Sequence, residues 1–330
     1  MDLRQRTKRF GLCVVLCACL LRLAVEGVFQ KGLRLLLQQD PVPIHTYSET
    51  GRTVRFSASS EGFWEHVRES PPPRIPEPDR PVFSRADAQQ LSFYNTGSRR
   101  PDPEALLETV LDWDLTAGTP AVLILHTHGT ESYTPDGEAY EAVSAYRTLD
   151  DRYNMISIGD AVAEILEENG IGVIHDRQIY DYPSYNGAYT RARESIEAHL
   201  AENPGIQLVL DLHRDASGSG GRQLRTKAQV NGEPSAQLMF VQGTNFDTWT
   251  RNLSLAAKLQ VLLEQKHPGI MRPVNLRAQR FNQDLSPGML LVEVGAAGNS
   301  RREALLAAGE LAGALVSLAE GSRFMETVNE

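Results

Sequence analysis

Thr119-Pro120-Ala121-Val122-Leu123-Ile124-Leu125-His126-Thr127-His128-Gly129-Thr130-Glu131-Ser132 is the stretch on which the reading of this chain turns. Ala121 to Leu125 is continuously apolar and too short for a helix, which marks a strand buried on both faces. The run stops abruptly at two imidazoles and a carboxylate. Strand carboxyl ends are where open α/β sheets place their ligands. Imidazole suits Zn²⁺, and a nearby carboxylate serves as a third ligand or as a proton carrier. A lone histidine in such a place would ordinarily be a loop residue bonded to backbone. It is the grouping His-x-His-x-x-Glu that points to chemistry.

Outward from this strand the pattern alternates. Met155 to Glu168 repeats apolar residues at helical spacing and closes at Asn169-Gly170, a left-handed stop. Ile171 to Ile174 reads as a short strand. Ala188 to Leu200 reads as a helix ended by Asn203-Pro204-Gly205, and Ile206 to Leu212 as a second buried strand stopping at His213-Arg214-Asp215. Gln223 to Val230 and Gln237 to Val241 are predicted to pair as a hairpin around Asn231-Gly232. Trp249 to Lys266 is a long helix, Met289 to Val292 a strand running into Glu293, and Arg302 to Leu318 a final helix. Helices alternating with short apolar strands predict one α/β domain over residues 119–320, a mainly parallel twisted sheet with helices on both faces.

Three strands thus end in ligands or bases: His126 and His128, then His213, then Glu293. In a parallel sheet those ends lie along one edge, so residues distant in sequence converge. Two histidines and two carboxylates supply what a hydrolytic zinc site requires, three ligands with one open position and a proton carrier beside it. The strand-end criterion is imperfect, because His175 also ends a strand. His45, His66, His199 and His267 sit in linker or helix contexts and read as ordinary. No Gly-x-Ser-x-Gly elbow and no phosphate-binding glycine loop is present, so a serine nucleophile and a nucleotide site have no support.

At 330 residues the chain is long enough for a sizeable core. A net charge of -9 and the absence of a basic stripe argue against nucleic acid as a partner. The N-terminus is an exception, with Arg4, Arg6, Lys8 and Arg9 before the apolar run Phe10 to Leu21. That is an export signal. No small-x-small cleavage site follows, and Arg22 near the end of the run can snorkel to the interface, so residues 1–26 are expected to stay as a membrane anchor with the bulk of the chain outside. All three cysteines lie in this segment, which leaves the remainder without disulfide or thiolate chemistry. Residues 27–118 are expected to be an extracytoplasmic run-in containing the semi-rigid spacer Pro71 to Pro78, and 321–330 a C-terminal tail.

His126-Thr127-His128-Gly129-Thr130-Glu131-Ser132-Tyr133, Leu212-His213-Arg214-Asp215-Ala216, and Phe281-Asn282-Gln283-Asp284-Leu285 with Leu291-Val292-Glu293-Val294-Gly295 resemble the stage II sporulation protein P family of endospore-forming bacteria. The resemblance covers about residues 119–320 and implies an amidase-like, phosphorylase/hydrolase-like fold. It implies a zinc-dependent N-acetylmuramoyl-L-alanine amidase of the cell membrane that also cuts peptide cross-links. It further implies a role in thinning septal peptidoglycan during engulfment, beside stage II sporulation proteins D and M. By position, His128 and His213 correspond to metal ligands and Glu293 to the catalytic glutamate. The family's glutamate ligand falls where this chain has Asp150 and Asp151, so the third ligand is Glu131, Asp151 or Glu141, of which Glu131 is preferred for its closeness to His128. His126 is expected as an orienting partner or substitute ligand. Arg214, Arg277 and Asn282 are expected to grip substrate carboxylates or amides, arginine offering a two-pronged grip.

Overall fold

The computed structural model describes residues 80–325, apart from 112, 118–119, 135–141, 145, 217 and 220–221. The anchor segment, the proline-rich spacer, His45, His66 and Glu141 lie outside the described residues. Among the described residues no helix is long and apolar enough to cross a membrane.

In chain order the strands are β1 (Val82–Ser84), β2 (Phe93–Asn95), β3 (Val122–Leu125), β4 (Ala142–Ser144), β5 (Arg147–Thr148), β6 (Val173–His175) and β7 (Leu208–Asp215). There follow β8 (Gly218–Ser219), β9 (Arg222–Gln223), β10 (Ala228–Val230), β11 (Glu233–Ser235), β12 (Leu238–Gly243), β13 (Val274–Arg277), β14 (Met289–Ala296) and β15 (Arg323–Met325). The α-helices are α1 (Arg85–Ala88), α2 (Pro103–Glu108), α3 (Met155–Glu168), α4 (Ala188–Glu202), α5 (Trp249–Lys266) and α6 (Arg301–Ser317).

Seven strands form the main sheet in the order β2-β13-β12-β14-β7-β3-β6. Every neighbouring pair is parallel except β12 with β14. Two parallel blocks, β14-β7-β3-β6 and β12-β13-β2, therefore run in opposite directions. β3 lies between β7 and β6, and all four of its residues are buried, as a strand covered on both faces requires.

Side chains alternate between the two faces. Val122 and Ile124, Leu208, Leu210 and Leu212, and Leu290, Val292 and Val294 pack with α3, α5 and α6 in the main core. Leu123, Leu125, Val209 and Met289 face the other way, against Ala188, Ala192 and Ile196 of α4. A third, small cluster, Met239, Val241 and Leu291, has only the half-buried Tyr189 and Phe281 against it. Among the described residues the second face thus has an α-helix over one half only.

Local signals set the helix limits. The Asn154 side chain accepts from Ile156 N at the start of α3, and Gly170 takes φ 78° just past its end. Ser300 and Glu303 form a reciprocal capping box on α6.

Two expectations change. The compact body begins well before residue 119: β2 is the sheet's edge strand, β1 pairs with β15, and α2 docks on α5, where Ser254 Oγ donates to Leu106 O at 2.6 Å. Three-residue strands carry too little periodicity to be read from sequence. The hairpin is also re-paired. Asn231 and Gly232, at φ 51° and 84°, make a two-residue turn that joins β10 to β11, while 238–243 enters the main sheet. Such a turn pairs the residues immediately flanking it, so the strand further on was free to go elsewhere.

Candidate metal centre and active site

The chain turns sharply after β3, and residues 127–130 carry His128 and Glu131 back over the end of β7. His213 stands within β7, two residues beyond Asp211 and therefore on the same face of the strand. His128, Glu131 and His213 are all buried, and one ligand atom from each lies within 4.8 Å of the others. His128 Nδ1 is 3.5 Å from Glu131 Oε1, and His213 Nδ1 is 3.5 Å from Glu131 Oε2.

His213 is oriented from behind. Its Nε2 lies 2.9 Å from Asp211 Oδ1. Asp211 is itself fixed, accepting from Thr127 N at 2.8 Å and from Thr127 Oγ1 at 2.7 Å. A histidine with a carboxylate on its far nitrogen is the usual support for a metal-binding imidazole. Burial works against charge on His213, but Asp211 and Glu131 outweigh it and hold the imidazole well above its ordinary range.

Glu131 is the centre of a dense set of donors. Burial opposes its ionisation; His128, His213 and Arg214 overcome this and hold its carboxyl well below the usual range. Arg147 of β5 donates to its Oε1 at 3.1 Å and reaches Thr130 Oγ1 and Asp181 Oδ2 as well. Asp181 in turn accepts from Thr130 N at 3.1 Å. The loop bearing the carboxylate is thereby clamped from both sides.

Glu293 lies in β14 directly opposite His213 in the parallel register. Residues so paired project from the same face about 4.8 Å apart. Glu293 Oε2 is buried without a hydrogen-bond partner among the described residues, and the residue lines a cavity of about 560 Å³. Burial, opposed by His213 and reinforced by Glu131, pushes its carboxyl up to about 8. Aromatic rings close the other side: Tyr185 stacks on His128 with ring centroids 4.6 Å apart, and Tyr189 lies parallel to His213 at 6.4 Å.

The structure thus gathers His128, Glu131, His213 and Glu293, and separates them from His126. That ring is fully buried on the opposite face, where Nδ1 donates to Leu212 O at 3.1 Å and Nε2 is 2.9 Å from His175 Nε2. Burial and then His175 depress its pKa to about 3. His126 continues the alternation of β3, so it falls under α3, whereas the turn redirects His128. Arg214 is not a free grip on substrate. It is 3 % exposed, donating from Nε to Ser132 O at 2.9 Å and from its backbone N to Glu131 Oε2 at 3.2 Å, which makes it a support for Glu131. Asp151 is exposed and pairs with Arg177 at 3.2 Å, away from the cluster. Asn282 donates to Tyr189 O at 2.9 Å, and Arg277 lines the cavity beside Glu293.

Asp211 escaped the sequence reading, although an aspartate interrupting an apolar strand two residues before a histidine was a usable signal. Arg147, Asp181 and the two tyrosines gave none, since only the folded loops bring them near.

The donor set of two imidazoles and a carboxylate, buried and closely spaced, with Asp211 beside His213, fits a divalent metal ion.

Comparison with known proteins places these residues in context. A family model described as Stage II sporulation protein P (SpoIIP) matches residues 58–316. Stage II sporulation protein P of Bacillus subtilis is 28 % identical over 258 residues, which cover 74 % of this chain. The chain spans 60 % of that relative's length. Among solved structures, the N-acetylmuramoyl-L-alanine amidase AmiC2 of Nostoc punctiforme aligns with TM-score 0.37 and 14 % identity, over 62 % of this chain and 97 % of its own. An N-acetylmuramoyl-L-alanine amidase from Clostridium difficile aligns with TM-score 0.39 and 14 % identity, over 61 % and 97 %.

Proposed function

The chain belongs to the stage II sporulation protein P family, and from that premise we propose that it is a peptidoglycan hydrolase of sporulation whose metal, zinc, sits on His128, Glu131 and His213. The bond cut is the amide between muramic acid and the first alanine of the stem peptide. The observation that carries this reading is the buried trio with Glu293 in register beside it at the mouth of a cavity.

A zinc ion held there supplies Lewis acidity and activates water at neutral pH. The protein's own residues do the rest. The Asp211 carboxylate stands 2.9 Å behind the His213 ring, and Arg147 and Arg214 fix the carboxylate of Glu131. Glu293 Oε2, which has no hydrogen-bond partner among the described residues, takes a proton from the attacking water and returns it to the leaving amine. Its raised pKa suits a group that must both accept and donate near neutrality. Tyr185 and Tyr189 lay aromatic rings against His128 and His213.

Family resemblance extends the proposal to cutting of peptide cross-links, to action beside stage II sporulation proteins D and M, and to a chain held in the membrane by residues 1–26 with its hydrolase domain outside. Mass spectrometry of fragments released from purified peptidoglycan tests the reading. Stem peptides released with a free alanine amino terminus support it; cuts confined to cross-links, or no release, would overturn the amidase assignment.

A further inference from the structure

The sheet face that carries His213 and Glu293 continues, with no α-helix above it among the described residues, across β14, β12 and β13 to the edge strand β2. Its residues stand in register across the strands. Tyr94 pairs with Asn275, Asn275 with Val241, Val241 with Leu291, and Leu291 with Asp211. Met239, Glu293 and His213 form the adjacent row. Strands lie ~4.8 Å apart, so the four steps from β2 to β7 span about 19 Å, the length of an extended peptide of about five to six residues at ~3.3 Å each.

Three features set this floor apart from an ordinary solvent-facing sheet. Asn275 Oδ1, like Glu293 Oε2, is buried with no hydrogen-bond partner among the described residues, although both residues line the cavity. Arg277 lines the same cavity and is exposed, with no side-chain partner among the described residues; Arg272 beside it is already neutralised by Asp215 at 2.8 Å. The rim is held in a costly backbone conformation. Phe281 and Asn282 take φ 53° and 58°, a left-handed state that is a true outlier for a bulky aromatic. Strain of this kind gathers at ligand clamps. Gln283 fixes the rim to the floor by accepting from Gly243 N at 2.7 Å and donating to Val241 O at 3.0 Å. A side chain at Gly243 would meet Gln279 O at 2.5 Å, so the glycine is what lets the rim come so close.

We propose that this cleft binds an extended peptide of about five residues that carries a free carboxylate. Met239, Val241 and Leu291 lie under its aliphatic groups, Asn275 Oδ1 accepts a peptide N–H, and Arg277 holds the carboxylate. The cleft leads from Glu293 to the sheet edge, so a peptide bound in it enters the hydrolytic centre end-on. The fate of the bound peptide rests on the hydrolase reading, but its binding does not.

The test is calorimetric, on the full-length, zinc-loaded protein, with the stem pentapeptide of peptidoglycan as free acid and with every carboxylate amidated. Arg277→Ala is expected to weaken the free acid by about 10- to 100-fold, the scale of a lost charge-assisted hydrogen bond, and to change the amidated form by less than about twofold. Arg277→Lys should restore part of the loss, and Asn275→Ala should weaken both forms. Arg277 is exposed, so its variants should keep the wild-type melting temperature. Equal affinity of wild type for the two peptides, or an Arg277→Ala variant that binds the free acid unchanged, would overturn the proposal. Carboxylate-dependent binding without hydrolysis of any peptidoglycan would leave the cleft standing and remove the proposed activity. Hydrolysis with affinity and KM indifferent to Arg277 would do the reverse.

Discussion

Replacing Asp211 separates what holds the site together from what tunes it. Its Oδ1 serves Thr127 N and faces His213 Nε2, and its Oδ2 accepts from Thr127 Oγ1. In Asp211→Asn the amide oxygen can occupy the Oδ1 position and the amide nitrogen can donate to the threonine hydroxyl, so the contacts survive and only the charge is lost. Asp211→Ala strands two buried donors at about 1–3 kcal/mol each. At about 2–4 °C per kcal/mol for a domain of this size, a combined cost of about 2–6 kcal/mol lowers the melting temperature by about 4–24 °C. Loss of the support behind a metal-binding histidine typically weakens metal binding by about 10- to 100-fold. The asparagine variant is therefore expected near the low end of that range with nearly unchanged stability, and the alanine variant near the high end with a marked thermal defect. Zinc affinity by chelator competition and melting of the metal-free protein read the two effects separately. An asparagine variant that binds zinc as tightly as wild type would show that Asp211 merely anchors Thr127.

Glu293→Gln should retain zinc and lose about 10²- to 10⁴-fold in hydrolysis, as expected of a proton carrier; loss of zinc together with activity would put Glu293 among the ligands. Gly159→Ala places a Cβ 2.4 Å from His175 Nε2 and 2.6 Å from His126 Nε2, so its overpacking cost of about 1–3 kcal/mol should outweigh the ~1 kcal/mol gained in helix propensity, and a higher melting temperature would contradict that packing. Lys258 is fully buried, donates to Leu106 O and Leu107 O, and has its pKa lowered to about 7 by burial. Between about 7 and the unfolded value of 10.5 the unfolded chain binds the extra proton, so this residue makes stability rise with pH there, by up to ~1.4 kcal/mol per unit. The difference between wild-type and Lys258→Met denaturation curves should show that slope, and a flat difference would place the charged amine in the folded state throughout.

What the sequence discloses depends on how far each residue's fate is local. Ala121 to Leu125 and Ile206 to Leu212 declare themselves because a strand covered on both faces has to be uniformly apolar. Trp249–Lys266 is legible to the residue because its apolar spacing persists for five turns. His128, Glu131 and His213 could be grouped because each follows such a run. The alternation that places His126 under α3 was equally present in the sequence, but the turn that frees His128 from it was not. β13 and β2 were illegible, being short and half polar, and so was the reversal of direction at β12, which depends on where a strand docks. The docking of β12, β13 and β2 beside β14 is what extends the open face beyond Glu293, so the cleft with Asn275 and Arg277 emerged only from the pairing. Arg214 misled for a related reason: an arginine after a strand-end histidine looks available, and only the folded loop shows its donors spent on Ser132 O and Glu131.

If His128, Glu131 and His213 form one metal centre, elemental analysis of the purified full-length chain reads it out. Wild type is expected to carry one zinc per chain. His128→Ala and His213→Ala should each carry essentially none while keeping the far-ultraviolet circular dichroism of the folded domain. Full zinc content in both variants would contradict the assignment.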